Sequence, residues 1–118
     1  MAFKFEDLVI WQESVEFAKD IYSLTKDFPQ TEQFGIISQL NRAGVSISLN
    51  IAEGSGRASH AELARFIQIS IGSLNEIVTL LTISRDQMYL SQKDFEIYYS
   101  KCERLSKMLH AFKNSLKR

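Results

Sequence analysis

The sequence is short of nearly everything that bends or crosslinks a chain. A single cysteine in 118 residues excludes a disulfide framework and a thiolate zinc cage, as expected of a protein from a reducing compartment. One proline and five glycines leave long periodic stretches uninterrupted, so helix is the default reading and an all-β fold is not expected. Net charge is absent too, since 14 Lys and Arg balance 14 Asp and Glu. No run approaches the roughly 20 consecutive apolar residues of a membrane span. Met1 leads directly to charged Lys4, Glu6 and Asp7 rather than to the apolar stretch of a signal peptide, so the expectation is a cytoplasmic protein without a membrane partner.

What is present is a chain with 45% hydrophobic and 24% charged residues, enough apolar surface for one domain over residues 1–118 and too much for disorder. Neutrality conceals a gradient. Residues 1–34 carry seven acids against three bases, residues 35–90 four of each, and residues 91–118 three acids against seven bases. Either the acidic and basic helices lie side by side and neutralise one another, or a basic strip of Lys101, Arg104, Lys107, Lys113, Lys117 and Arg118 meets phosphate.

Four helical segments follow, over about 7–28, 32–53, 60–87 and 92–116. The first stops at Pro29, which cannot donate a backbone N–H and disfavours helix in the residue before it. It carries two apolar stripes, Leu8, Trp11, Val15, Ala18 and Tyr22 on one side and Ile10, Phe17, Ile21, Leu24 and Phe28 on the other. The second has a core stripe of Ile37, Leu40, Gly44, Ile47 and Ile51, with Gly44 expected to allow a close approach, and it ends at Gly54-Ser55-Gly56. Ser59 and Glu62 form a capping box that opens the third, whose core arc is Leu63, Phe66, Ile67, Leu74, Ile77, Val78 and Leu81; Ile69, Leu80 and Ile83 are expected on the opposite side. The fourth starts at Ser91, with a single stripe from Phe95 through Tyr98, Cys102, Leu105, Leu109 and Phe112 to Leu116. Short connections make neighbours antiparallel, giving an all-α, up-down-up-down four-helix bundle.

Such a bundle needs one inward stripe per helix. The surplus apolar residues of the first three helices imply a homo-oligomer, or a groove kept for a different partner. The second helix adds a polar ladder, Gln39, Arg42, Ser46, Asn50 and Glu53, bordered by Val45 and Leu49. Short amides and single charges of each sign suit an oligomer contact, each group pairing across to another subunit; a lined polar groove is the competing reading. Trp11, Tyr22, Phe28 and Phe34 read as core or interface aromatics. His60 and His110 are far apart and lack ligand partners, Cys102 sits on the core stripe, and no serine occupies a nucleophile elbow, so neither metal, cofactor nor enzymatic activity is expected. Arg57, beside two glycines ahead of a helix N-terminus, either helps to hold an anion or pairs with a nearby acid.

Several strings carry a likeness: Phe5-Glu6-Asp7-Leu8-Val9-Ile10-Trp11-Gln12, Ile21-Tyr22 with Leu24-Thr25, Phe28-Pro29, Phe34-Gly35-Ile36, Ser38-Gln39-Leu40, Asn50-Ile51-Ala52-Glu53-Gly54 with Gly56-Arg57, and Gly72-Ser73-Leu74. In this order they resemble the bacterial four-helix-bundle proteins encoded in intervening sequences of 23S ribosomal RNA genes. More distantly, the chain is similar to the accessory variability determinant protein of diversity-generating retroelements. The resemblance implies a ring-shaped homopentamer without a settled biochemical activity; the distant relative is a basic pentamer that binds nucleic acid and a reverse transcriptase. Against the family pattern, Asn41 stands where a second arginine is usual, Gly44 where alanine is, Ser48 where proline is, Leu49 where serine is, and Met88 where glycine is. The expected function is a non-enzymatic binding scaffold. It would bind RNA or DNA through Arg57, Lys101, Arg104, Lys107, Lys113 and Lys117, with Gln39, Arg42, Val45, Ser46, Leu49, Asn50, Glu53, Ile69, Leu80 and Ile83 at the oligomer interface. The alternative is a protein-only adaptor that docks a partner such as a reverse transcriptase or other polymerase.

Overall fold

A computed structural model describes residues 1–117 and contains four α-helices and no strand among them. Helix α1 spans Val9–Thr25, α2 Ile36–Ser55, α3 His60–Asp86 and α4 Gln92–Ser115. Each helix packs against the next, and α4 closes on α1, so the four stand at the corners of an antiparallel up-down-up-down bundle measuring 45 × 23 × 21 Å. Its length is set by α3, whose 27 residues rise about 1.5 Å each.

The boundaries follow local chemistry. Ser59 Oγ accepts the Glu62 N–H at 3.2 Å and Ser91 Oγ accepts the Asp94 N–H at 3.0 Å, so each serine satisfies a donor that the first turn leaves free. The second helix begins at Ile36, four residues later than expected, because Gln30–Glu32 winds as a 3-10 turn after Pro29. At its far end α2 runs through the expected break to Ser55, and Gly56 caps it in right-handed geometry. The left-handed residue that ends a helix occurs instead after α3, at Met88, with φ 65°. There the Tyr89 N–H reaches Ser84 O at 2.8 Å and the Met88 N–H reaches Arg85 O at 2.9 Å, a Schellman closure that strains a side-chain-bearing residue by about 1 kcal/mol.

The core runs the length of the bundle. Of the two α1 stripes, Ile10, Phe17, Ile21, Leu24 and Phe28 are buried; from the other, Ala18 is buried while Trp11 and Val15 are half-buried and Tyr22 is exposed. Ile21, Leu40, Ile47, Ile51, Ile67, Ile77, Leu81 and Leu109 lose all contact with solvent. At about 25 cal/mol per Å² of apolar surface, each contributes roughly 1.5–3 kcal/mol. Leu80 joins this core at 6% exposure instead of lying outward with Ile69 and Ile83. It sits at the edge of the arc defined by Ile77 and Leu81, beside Ile36 and Gln39 at the N-terminal end of α2. Helix α3 is long and apolar enough on average to cross a bilayer, yet 44% of its most apolar stretch is buried inside the bundle, where it packs against both α2 and α4.

Two glycines of α2 have different roles. A Cβ on Gly44 would stand 3.5 Å from Ile21 Cβ, an ordinary contact, so the expected close approach is not there. A Cβ on Gly54 would stand 2.6 Å from Phe66 Cβ and 3.0 Å from Leu63 Cδ1, so α3 side chains lie directly on the α2 backbone. Gly54→Ala is therefore expected to destabilise the fold by about 1–3 kcal/mol through overpacking, whereas Gly44→Ala raises stability by up to about 1 kcal/mol through helix propensity. Urea-denaturation midpoints of the two variants give the comparison.

Burial also governs the lone thiol. Cys102 is enclosed by the core, which pushes its pKa from 9.0 up to about 12. Above about pH 9 the unfolded chain releases this proton while the native chain keeps it, so the native state binds more protons and stability falls as pH rises toward 12. The expected loss from this group is about 1.4 kcal/mol per pH unit in that window. Cys102→Ala flattens the curve by that amount when urea titrations are repeated between pH 8 and pH 11.

Candidate functional site

The outer face shared by α2 and α3 combines polar groups with unburied apolar ones. Antiparallel packing sets Gln39, Arg42 and Ser46 of α2 across from Ser73 and Glu76 of α3, around a groove of 390 Å³. Leu49, Ile69 and Ile83 flank this face at 61%, 40% and 46% exposure. The middle of the polar ladder, expected to pair across to another subunit, finds partners within the chain. Ser46 and Ser73 share a 3.0 Å hydroxyl contact, Asn50 Nδ2 donates to Ser46 O at 2.8 Å and to Ser46 Oγ at 3.0 Å, and Glu53 takes Arg57 at 3.0 Å. Val45 is half-buried.

Arg42 differs from every other arginine among the described residues. Arg57 holds Glu53, Arg65 holds Glu62, Arg85 holds Asp86 and Arg104 holds Glu13, while Arg42 holds no carboxylate. Glu76, on the opposite wall of the same groove, is likewise without an ion-pair partner among the described residues. Two opposite charges that share a groove without neutralising each other are available to something outside the chain.

The basic candidates divide along the bundle axis. Near the middle of α4, Lys101 pairs with Asp20 at 3.3 Å and Arg104 pairs with Glu13, tying the basic helix to the acidic one. Tyr98 Oη reinforces that seam by donating to Asp20 O at 2.9 Å, and partial burial together with the surrounding Asp20, Asp94 and Asp27 raises its pKa. Arg57 is held by Glu53 and lies 4.8 Å from the Phe66 ring centroid, with Arg65 at 4.6 Å from the same ring. Toward the C-terminus of α4 the pattern changes. Lys113 Nζ donates to the neutral Gln68 amide at 2.6 Å, and Lys107 and Lys117 hold no carboxylate among the described residues. Arg118 lies outside the described residues.

A second groove of 390 Å³ separates α3 from α4, with buried Leu74 and Cys102 and half-buried Val78 beneath a rim that includes Asn75, Tyr99, Glu103 and Lys107. At the end of the bundle where the α1–α2 and α3–α4 loops meet, Phe34 and Met88 are almost fully exposed, against the expectation that Phe34 is covered. Tyr89 Oη donates to Glu32 at 2.8 Å and locks the two loops together, and that bond raises the Tyr89 pKa. Among the described residues no three His, Cys, Asp or Glu side chains stand close enough to hold a metal ion.

Ser73 and Glu76 join the α2–α3 groove without standing out in the sequence, although they fall four and seven residues after Ile69 and so share its face. The α3–α4 groove is equally hidden there, because Tyr99 and Ser106, which also line it, lie beside the apolar stripe of α4 rather than in it.

The family model for the 23S rRNA-intervening sequence protein matches residues 6–111. A crystal structure of a protein of unknown function from the S23 ribosomal protein family of Bacteroides thetaiotaomicron superposes with a TM-score of 0.79 at 24% identity, covering 89% of this chain and 98% of that one. At that identity the superposition speaks for the fold alone. No curated protein matches the chain. With the family model spanning nearly all of the bundle, the chain belongs to the 23S rRNA-intervening sequence protein family.

Proposed function

We propose that this protein is a non-enzymatic scaffold that self-assembles through the α2–α3 face into a ring of five copies and binds structured RNA through the C-terminal half of α4. The RNA reading rests on the sorting of cations along α4. Lys101 and Arg104 are neutralised by α1, whereas Lys107, Lys113 and Lys117 are free of carboxylates among the described residues. A patch of three lysines binds phosphate weakly as a single copy; repeated around a ring it gains affinity through effective concentration. The family's link to 23S rRNA intervening sequences is in keeping with an RNA ligand.

The second reading, a protein-only adaptor for a polymerase-like partner, is favoured by the apolar floor of the α3–α4 groove. Gel-shift titration against a structured RNA separates the two. The RNA scaffold is expected to shift the RNA with an affinity that falls steeply as salt rises. Lys107→Glu combined with Lys113→Glu abolishes the shift, while Lys101→Gln combined with Arg104→Gln, which alters cations already neutralised, changes affinity less than about threefold. An adaptor gives no shift even in dilute buffer.

Self-assembly has its own test in light scattering. The wild-type particle is expected at several times the 13.5 kDa chain mass. Leu49→Glu or Ile69→Glu reduces it to a single copy with unchanged helical circular dichroism, since both side chains are exposed in the isolated bundle. A wild-type chain that scatters as one copy at every concentration refutes the assembly.

A further inference from the structure

Gly72 has no role inside the chain that holds it. It lies in the interior of α3, a 27-residue helix, where glycine is among the least favourable residues because of the backbone freedom it loses. Its backbone is ordinary right-handed helix, so no left-handed geometry calls for it. It is exposed, and a Cβ built on it meets nothing within 4 Å among the described residues, in contrast to Gly54, which Phe66 covers. What the missing side chain provides is room on the outside. Gly72 is three residues beyond Ile69 and four before Glu76, so it belongs to the outward stripe of α3 that borders the polar groove.

From this we infer that Gly72 is the point at which a second copy of this chain lays a helix directly on the α3 backbone, with Arg42 of one copy pairing with the partner's Glu76. The inference rests on the self-assembly proposed above and specifies its contact. A second copy is the occupant because the face carries one cation and one anion without ion-pair partners among the described residues, so each copy can offer Arg42 to one neighbour and Glu76 to the next, the head-to-tail contact that a ring requires; an RNA strand would be repelled by Glu76, and Ile69 and Leu49 give it no phosphate contact. The bare backbone at Gly72 lets the two helices come close enough for Ile69 to be covered and for the charges to meet in a space with little water, where their attraction is strongest.

The test separates packing from folding. Gly72→Ala is expected to raise the melting temperature of the dilute chain, since the added methyl enters open space and favours helix, and at the same time to weaken association at least tenfold by sedimentation velocity. Gly72→Leu leaves a folded chain with native circular dichroism at the single-copy mass. Arg42→Glu and Glu76→Arg each dissociate the assembly, and mixing these two variants restores a heavier particle, because each supplies the charge that the other lacks. If wild type is oligomeric and Gly72→Leu leaves its mass unchanged, the contact at Gly72 is refuted while the assembly stands. A mixture that stays dissociated although the doubly substituted chain associates places the charge pair within one copy and overturns the pairing. A Gly72→Leu chain that keeps its mass but loses the RNA shift makes this face an RNA surface and overturns the inference as well.

Discussion

The direct contact between α2 and α3 is the constraint on which the rest of the bundle depends. Gly54 lies under Phe66 and Leu63 with no room for even a methyl group, and thirteen residues along α3 from His60 the same pair of helices still meets, at Ser73 and Ser46. The buried Ser70 hydroxyl adds a hydrogen bond to Ile47 O at 2.9 Å across the same interface. A hydroxyl that bonds to a carbonyl of the neighbouring helix fixes translation as well as distance, because it would be buried without a partner if α3 slid by one turn. With α2 and α3 locked in this way, Ser46 meets Ser73 and the groove walls of Arg42 and Glu76 come into line on the outer side.

The opposite seam works by different means. Helix α1 and helix α4 make the slightest contact of the four neighbouring pairs, and their junction is polar, with Glu13, Asp20, Lys101, Arg104 and the Tyr98 hydroxyl along it. Exposed ion pairs of this kind contribute roughly 0–1 kcal/mol each, so their effect is more on register and orientation than on stability. Their consequence for the charge pattern is larger, since they neutralise the middle of α4 while the lysines near its C-terminus stay without carboxylate partners among the described residues.

Apolar side chains left exposed also mark where the monomer departs from an economical bundle. Leu49, Ile69 and Ile83 border the α2–α3 groove, and Phe34 and Met88 stand on loops that the Tyr89–Glu32 bond holds together. Met88 adopts a left-handed backbone in which glycine would be unstrained, and its side chain gains no cover within the chain. Strain and exposure at the same residue are features that stability of one copy does not explain.

Four helices, their antiparallel order and most of the core could be read from the residues, because helical burial repeats every three to four positions and that period is written along one dimension. Ile47, Ile67 and Leu109 are inside for that reason, and Ser59 and Ser91 cap their helices through contacts only three residues away. Leu80 could not be placed that way, since it lies at the edge of the arc and its burial depends on what the fold brings beside it, the N-terminal end of α2 with Ile36 and Gln39. Nor could the fate of each charge. Arg104 and Arg42 look alike in a sequence, but the first meets Glu13 from ninety-one residues away and the second meets no carboxylate among the described residues. The same holds for the glycines: Gly44, Gly54 and Gly72 all interrupt apolar helices, and only the neighbour brought by the fold distinguishes ordinary contact, a tight crossing and empty space. Periodicity depends on the chain alone, whereas partnership and clearance depend on what packing brings from elsewhere.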